Sequence, residues 1–184
     1  MKLKLLITLI ATTLVFTTIL FIAAGRIDYL QGWLFFTINI ISTVLTFLMT
    51  GNNAALMKER SKAGEGAKAW DKNILAVSTV MYIGFLIISG LDTGRFGWSQ
   101  AVHPAIYIIG GILIIGGQAF FLKAKRENNF FSSVVRIQTD RGHTVCDTGV
   151  YRIVRHPGYL GMIISNLGLP LITASLWSAI PIFI

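Results

Sequence analysis

Long apolar runs separated by short polar intervals set the pattern of this chain. Leu3 to Ala24 is apolar apart from Lys4 and a few threonines, whose hydroxyls can return to the helix backbone. Gln31 to Thr50 forms a second run, opened by Trp33 at interfacial depth. Asn73 to Leu91 forms a third, preceded by Trp70, and His103 to Leu122 a fourth. Each is long enough to cross a hydrocarbon core of about 30 Å as a helix. In the fourth, Gly110 and Gly117 lie two turns apart on one face, with Gly111 and Gly116 beside them, a pattern that lets a neighbouring helix approach closely. The last stretch, Tyr159 to Ile184, is interrupted by Pro170 and by Thr173-Ala174-Ser175, which predicts a helical hairpin whose second arm is cut short at the chain end. The expected architecture is all-α: a multi-pass integral membrane protein of about five transmembrane segments, forming a single domain over 1–184. A secretory signal peptide is the rival for the first run, but its apolar stretch exceeds the roughly 7 to 15 residues of such a signal, so it reads as a retained helix.

Composition agrees with this pattern. Of the 184 residues, 54% are hydrophobic and only 13% charged, a balance that excludes a water-soluble globular domain. The net charge of +8 would suggest nucleic acid in a soluble chain. Its distribution argues otherwise. Of the 16 Lys and Arg, all but Arg26 and Arg95 fall at the N-terminus, in the interval after the second run, or in the interval after the fourth. By the positive-inside rule those segments face the cytosol, and membrane topology accounts for the whole basic excess. The single cysteine, Cys146, excludes an intramolecular disulfide and a cysteine-based metal cluster.

Chemistry is expected on the basic side. The outer intervals, Gly25 to Leu30 and Asp92 to Val102, are short and carry little that could react. The interval after the second run holds Glu59-Arg60 and a glycine-bearing basic segment from Lys62 to Lys68. The strand and the Gly-Lys-Ser/Thr of a phosphate loop are missing from it, and it reads as a solvated connector. The interval from Lys123 to Pro157 is far longer than a connector requires. Within it Val134 to Thr139 has roughly alternating β-branched character, Asp140 to His143 reads as a turn, and Val150 to His156 as a short helix that Pro157 halts. In such a helix Tyr151 and Arg155 share a face, as do Arg152 and His156. Helix ends and tyrosine faces at the membrane boundary suit a cofactor pocket; an interfacial anchor of arginines and tyrosines fits the same spacing. His143, Cys146, Asp147 and His156 meet no recognised metal-ligand spacing, and Ser132 and Ser133 have no nucleophile elbow around them.

The segment Gly149-Val150-Tyr151-Arg152-Ile153-Val154-Arg155-His156-Pro157-Gly158-Tyr159-Leu160-Gly161 resembles the signature of the isoprenylcysteine carboxyl methyltransferases and the related membrane phospholipid methyltransferases. Gln138 and His143-Thr144-Val145-Cys146 are similar to the family's cofactor-lining segment, and Glu59-Arg60 with Trp70-Asp71 to its loop after the second helix. The resemblance implies methyl transfer from S-adenosyl-L-methionine at a cytosolic cofactor loop spanning 123–158. Gln138, His143, Thr144, Val145, Cys146, Tyr151, His156, Pro157, Gly158 and Tyr159 would contact the cofactor, with no metal. The implied acceptor is a lipidic or prenylated carboxylate entering from the bilayer, as in protein-S-isoprenylcysteine carboxyl O-methyltransferases. The alternatives are the amine of phosphatidylethanolamine, a sterol reductase using a nicotinamide cofactor, and a truncated inactive membrane protein or scaffold. The resemblance also implies a further helix and a polar tail bearing a Glu and an Arg. The chain stops at Ile184 before any such tail, so no catalytic residue is assigned from it.

Overall fold

The computed structural model describes residues 2–50, 69–132 and 142–184. Helix α1 runs Lys2–Ala24, α2 Leu30–Thr50, and α3 Ala69–Ser89, which passes directly into a π-helical turn, Gly90–Phe96. Helix α4 runs Pro104–Glu127, a 3₁₀ turn Gly149–Arg152, α5 Pro157–Thr173 and α6 Ala179–Phe183. Among the described residues there are no strands, and four helical segments are long and apolar enough to cross a membrane. The protein is therefore a multi-pass helical membrane protein.

The third segment is longer than its apolar run suggests. Leu91 does not end it, because the chain continues through the π-helical turn to Gly97, where a left-handed residue (φ 65) stops it. Helix α4 likewise runs on to Glu127, past the apolar limit at Leu122. It begins where His103, at the cap, accepts from the Ala105 N–H through Nδ1 (3.3 Å), with Pro104 in the first turn, where a missing N–H costs nothing. Val134 to Thr139, the Lys62 to Lys68 segment and Glu59-Arg60 lie outside the described residues.

The hairpin forms, but Pro170 is not its breaking point. Pro170 sits inside α5, and the helix ends three residues later, where Ala174 turns left-handed (φ 53) and its N–H bonds back to the Leu171 carbonyl. The freed Pro170 carbonyl accepts from the Ser175 N–H at 3.1 Å. Helix α6 then returns along α3, with Pro181 beside Gly84 and Ile182 packed on the core.

Helices α4 and α5 are antiparallel and nearly touch. A Cβ on Gly117 would stand 2.5 Å from the Ser165 nitrogen and 2.6 Å from the Gly161 oxygen; one on Gly161 would meet the Gly117 oxygen at 2.7 Å. One pair further along, a Cβ on Gly168 would stand 2.5 Å from the Gly110 oxygen. Gly111 and Gly116 stay outside this contact. In a bilayer, where lipid is as apolar as leucine, such close packing replaces the hydrophobic drive between helices. Around it Leu20, Phe35, Phe85, Leu86, Ile114 and Ile172 form the core.

The end of the bundle that carries Arg26 and Arg95 is pinned by a buried polar network. Asp92 is fully buried. It accepts from the Ser99 N–H, the Ser99 hydroxyl and the Ser175 hydroxyl, each at 2.6 Å, tying the π-helical turn to the α5–α6 turn. Alongside, the Thr93 hydroxyl meets the Tyr29 phenol at 2.7 Å and lies 3.0 Å from the Thr173 carbonyl, while Ser89 donates to Thr173. Burial pushes the Tyr29 phenol up to about 12, so it stays a proton donor.

Two substitutions test these contacts. Gly117→Val should cost about 1–3 kcal/mol or more, because the atoms it meets are backbone and cannot swing away. Asp92→Ala should cost about 1–3 kcal/mol for each buried donor left unpaired. Thermal unfolding in detergent followed by near-ultraviolet circular dichroism checks both, and unchanged midpoints would show that neither contact holds the bundle.

Candidate functional site

Lys4 of α1, Lys123, Lys125 and Arg126 of α4, and Arg152 and Arg155 before α5 all lie at one end of the bundle, the end opposite Arg26 and Arg95. At this basic face the chain leaves α4 and comes back to start α5. Asn128 turns it: its Oδ1 accepts from the Phe130 N–H at 2.8 Å and its carbonyl from the Phe131 N–H at 3.1 Å.

The returning segment docks on the end of α4. Thr148 donates its hydroxyl to the Glu127 carboxylate at 2.5 Å. Gly149 is left-handed at φ 52, which favours glycine, and its Cα faces the Glu127 carboxyl group, which a Cβ would meet at 2.6 Å and push aside. The 3₁₀ turn that follows carries the Tyr151 phenol to 3.4 Å from the Asn128 amide nitrogen. His143 stacks on Phe130, rings 4.7 Å apart and nearly parallel at 9°. Phe131 packs edge-on against Phe121 (5.5 Å) and closes over Gly158, where a Cβ would meet its ring at 2.9 Å.

The expected site residues therefore fall into four groups. His143, Cys146, Tyr151, His156 and Tyr159 gather at this face. Cys146 Sγ lies 3.8 Å from the Thr148 hydroxyl, and the His156 and Tyr159 rings are 6.0 Å apart. Thr144 and Val145 are on the same segment but exposed, Val145 at 88%. Pro157 and Gly158 are buried, so they contribute backbone and packing rather than free side chains. Gln138 lies outside the described residues.

Pro157 does not halt a helix; it starts one. His156 is the cap of α5 (φ −128, ψ 64) and Pro157 its first residue, with the Leu160 N–H bonding to the His156 carbonyl at 3.2 Å. The preceding 3₁₀ turn closes at Arg152. Tyr151 and Arg155, and Arg152 and His156, consequently do not share a helix face. Proline is as much a first-turn residue as a terminator, and the apolar run that follows Pro157 decides which.

Glu127 is the site residue that sequence reasoning missed. Its signal was present: a carboxylate in the last turn of a helix opposes the helix dipole by about 0.3–1 kcal/mol. Here Thr148 offsets that cost. The aromatic faces of Phe130, His143, Tyr151 and Tyr159 and the acceptor oxygens of Glu127 are the groups this face offers to a ligand with a planar ring, hydroxyls and positive charge.

Residues 105–184 match the family model of the phospholipid methyltransferases. The matched span runs from the first turn of α4 to Ile184 and holds the whole cluster just described. The match supports a membrane methyltransferase, without singling out the isoprenylcysteine carboxyl branch. No curated protein and no solved structure matches the chain.

The docking of the returning segment rests on the Thr148–Glu127 bond. Thr148→Val and Glu127→Ala should each speed hydrogen exchange at the Tyr151 and Ile153 amides about fivefold, the equivalent of about 1 kcal/mol for an exposed charge-assisted bond. Equal rates in wild type and both variants would show that the segment is held by other contacts.

Proposed function

We propose that the protein transfers a methyl group from S-adenosyl-L-methionine to a membrane lipid at its basic face, which the positive-inside rule places in the cytosol with the N-terminus. The observation that carries this reading is the coincidence of the family match with the cluster built on the junction of α4 and α5. The family description favours the amine of a phospholipid headgroup as acceptor. The Gly149 to Gly161 segment, similar to the isoprenylcysteine carboxyl methyltransferase signature, supports a prenylated or lipidic carboxylate as the second reading.

When bound, the cofactor supplies an electrophilic methyl group on a positively charged sulfur. The chain's part is to position and to desolvate. Glu127 brings negative charge to a face otherwise rich in Lys and Arg, which favours a cationic ligand over an anionic one locally. The Phe130–His143 stack and the Tyr151 and Tyr159 rings offer flat surfaces, and Gln138 belongs to the same interval of chain. Helix α5 rises from this face into the apolar layer, so a lipid acceptor reaches it along the bundle without leaving the bilayer. An ammonium headgroup must lose a proton before its lone pair can attack, and imidazole is the side chain suited to accept one near neutral pH. His156, at the cap of α5, and His143 are the two on this face. A carboxylate acceptor needs no such base.

Calorimetry of S-adenosylhomocysteine binding to the detergent-purified chain tests the site. His156→Ala and Tyr151→Phe should weaken binding about 5- to 150-fold, the range of about 1–3 kcal/mol for a hydrogen bond left unmade. Methylated phosphatidylethanolamine in membranes of expressing cells would select the amine acceptor; an unchanged phospholipid profile with retained cofactor binding would select the carboxylate. Binding that neither variant weakens would overturn the site.

A further inference from the structure

A cavity lies within the membrane span, away from the basic-face cluster. It measures about 270 Å³, just under the about 300–1,000 Å³ of pockets for drug-sized ligands. Its walls are α1, α2, α4 and α5, with Tyr82 contributed by α3. The polar part of the lining includes Thr12 and Thr13 of α1, Asn39 and Thr43 of α2, Gln118 of α4 and Asn166 of α5. Among the described residues none of its lining side chains is an Asp, Glu, Lys, Arg or His.

The hydrogen bonds across it leave a consistent surplus. Thr12 and Thr13 donate to the Thr8 and Leu9 carbonyls, and the Thr13 and Thr43 hydroxyls meet at 3.1 Å. Asn39 donates to the Phe35 carbonyl at 2.9 Å and Gln118 to the Thr46 hydroxyl at 3.1 Å. One N–H of the Asn39 amide and one of the Gln118 amide are thus used within the bundle. The carboxamide oxygens of Asn39 and Gln118, and the whole Asn166 amide, have no partner among the described residues. Unmet amide oxygens and N–H groups inside a bilayer are costly, which calls for a molecule bearing a hydroxyl, able both to donate and to accept. A charged group finds no counter-ion there.

The way in is from the lipid. Thr12 is exposed at the rim, and it stands ten residues along α1 from Lys2, about 15 Å into the span at 1.5 Å per residue. Opening at that depth admits membrane-dissolved molecules rather than solutes. Leu9, Phe16, Ile114 and Leu169 line the remainder and suit a hydrocarbon chain.

We propose that this cavity binds the hydroxyl head of an uncharged lipid, a glyceride or a long-chain alcohol, as a site separate from the basic-face cluster. The inference does not rest on the methyltransferase reading. The probe is dioleoylglycerol carrying a photoreactive diazirine on its acyl chain, presented to the full chain in phosphatidylcholine nanodiscs. Labelling should concentrate on residues flanking Thr12, Asn39 and Gln118. Unlabelled dioleoylglycerol or oleyl alcohol should compete, the stronger competitor identifying the source, while phosphatidylethanolamine should not. Asn39→Leu and Gln118→Leu should lower cavity labelling at least fivefold. Thr12→Trp, which fills the rim and leaves the inner hydrogen bonds intact, should do the same in a chain whose elution and helical circular dichroism match wild type. S-adenosylhomocysteine binding should be unaffected in all three. Labelling spread evenly over the outward-facing Ile22, Ile108 and Ile112, and insensitive to Thr12→Trp, would overturn the site. Equal competition by phosphatidylethanolamine would overturn its uncharged chemistry.

Discussion

The near-contact of the α4 and α5 backbones, glycine against glycine at 110–168 and 117–161, sets the distance and direction of every neighbouring element. Inside a membrane there is little to gain from hiding leucine from lipid, so association depends on how closely two helices can approach. With glycine at four facing positions the separation falls far enough for the Ser165 hydroxyl on α5 to reach the Ile114 carbonyl on α4 at 3.2 Å. That pairing fixes where α4 ends and where α5 begins. The basic-face cluster is built on those two ends.

The two ends of the bundle use polar groups for different purposes. At the end that carries Arg26 and Arg95 both carboxylate oxygens of Asp92 are occupied by serine donors, and the π-helical turn is tied to the hairpin turn through that one carboxylate. A buried charge satisfied this fully is a fixed joint rather than a reactive group. At the basic end Glu127 is exposed and holds one threonine, leaving acceptor capacity over. The stacked Phe130–His143 pair and the tilted His156–Tyr159 pair lie at the same end of the bundle. Rigidity at one end and open capacity at the other is the arrangement expected of a scaffold that presents a binding loop.

Between the ends, polar residues on the inner faces of α1 and α2 meet Gln118 and Asn166 on the glycine-paired helices. The close α4–α5 contact draws those two helices together at one side of the bundle and leaves room on the other, against α1 and α2. The cavity and the tight contact are thus two consequences of one packing choice.

The sequence by itself determined that the chain crosses a membrane several times, which runs do so, that all its basic residues but Arg26 and Arg95 fall in alternate intervals, and that Gly110 and Gly117 face a neighbour. These follow from local composition and helical period, which need no knowledge of distant residues. It also carried the hairpin, since Thr173-Ala174-Ser175 cannot extend an apolar helix cheaply. Tertiary structure alone decided the rest. That Gly161 and Gly168 are the partners, that Asp92 is a buried joint and not a loop residue, and that Glu127 receives Thr148 all depend on which segments meet. Such meetings join residues 21 to 83 positions apart, and no period or spacing along the chain records them, because the energy that selects them exists only once the backbones are in contact.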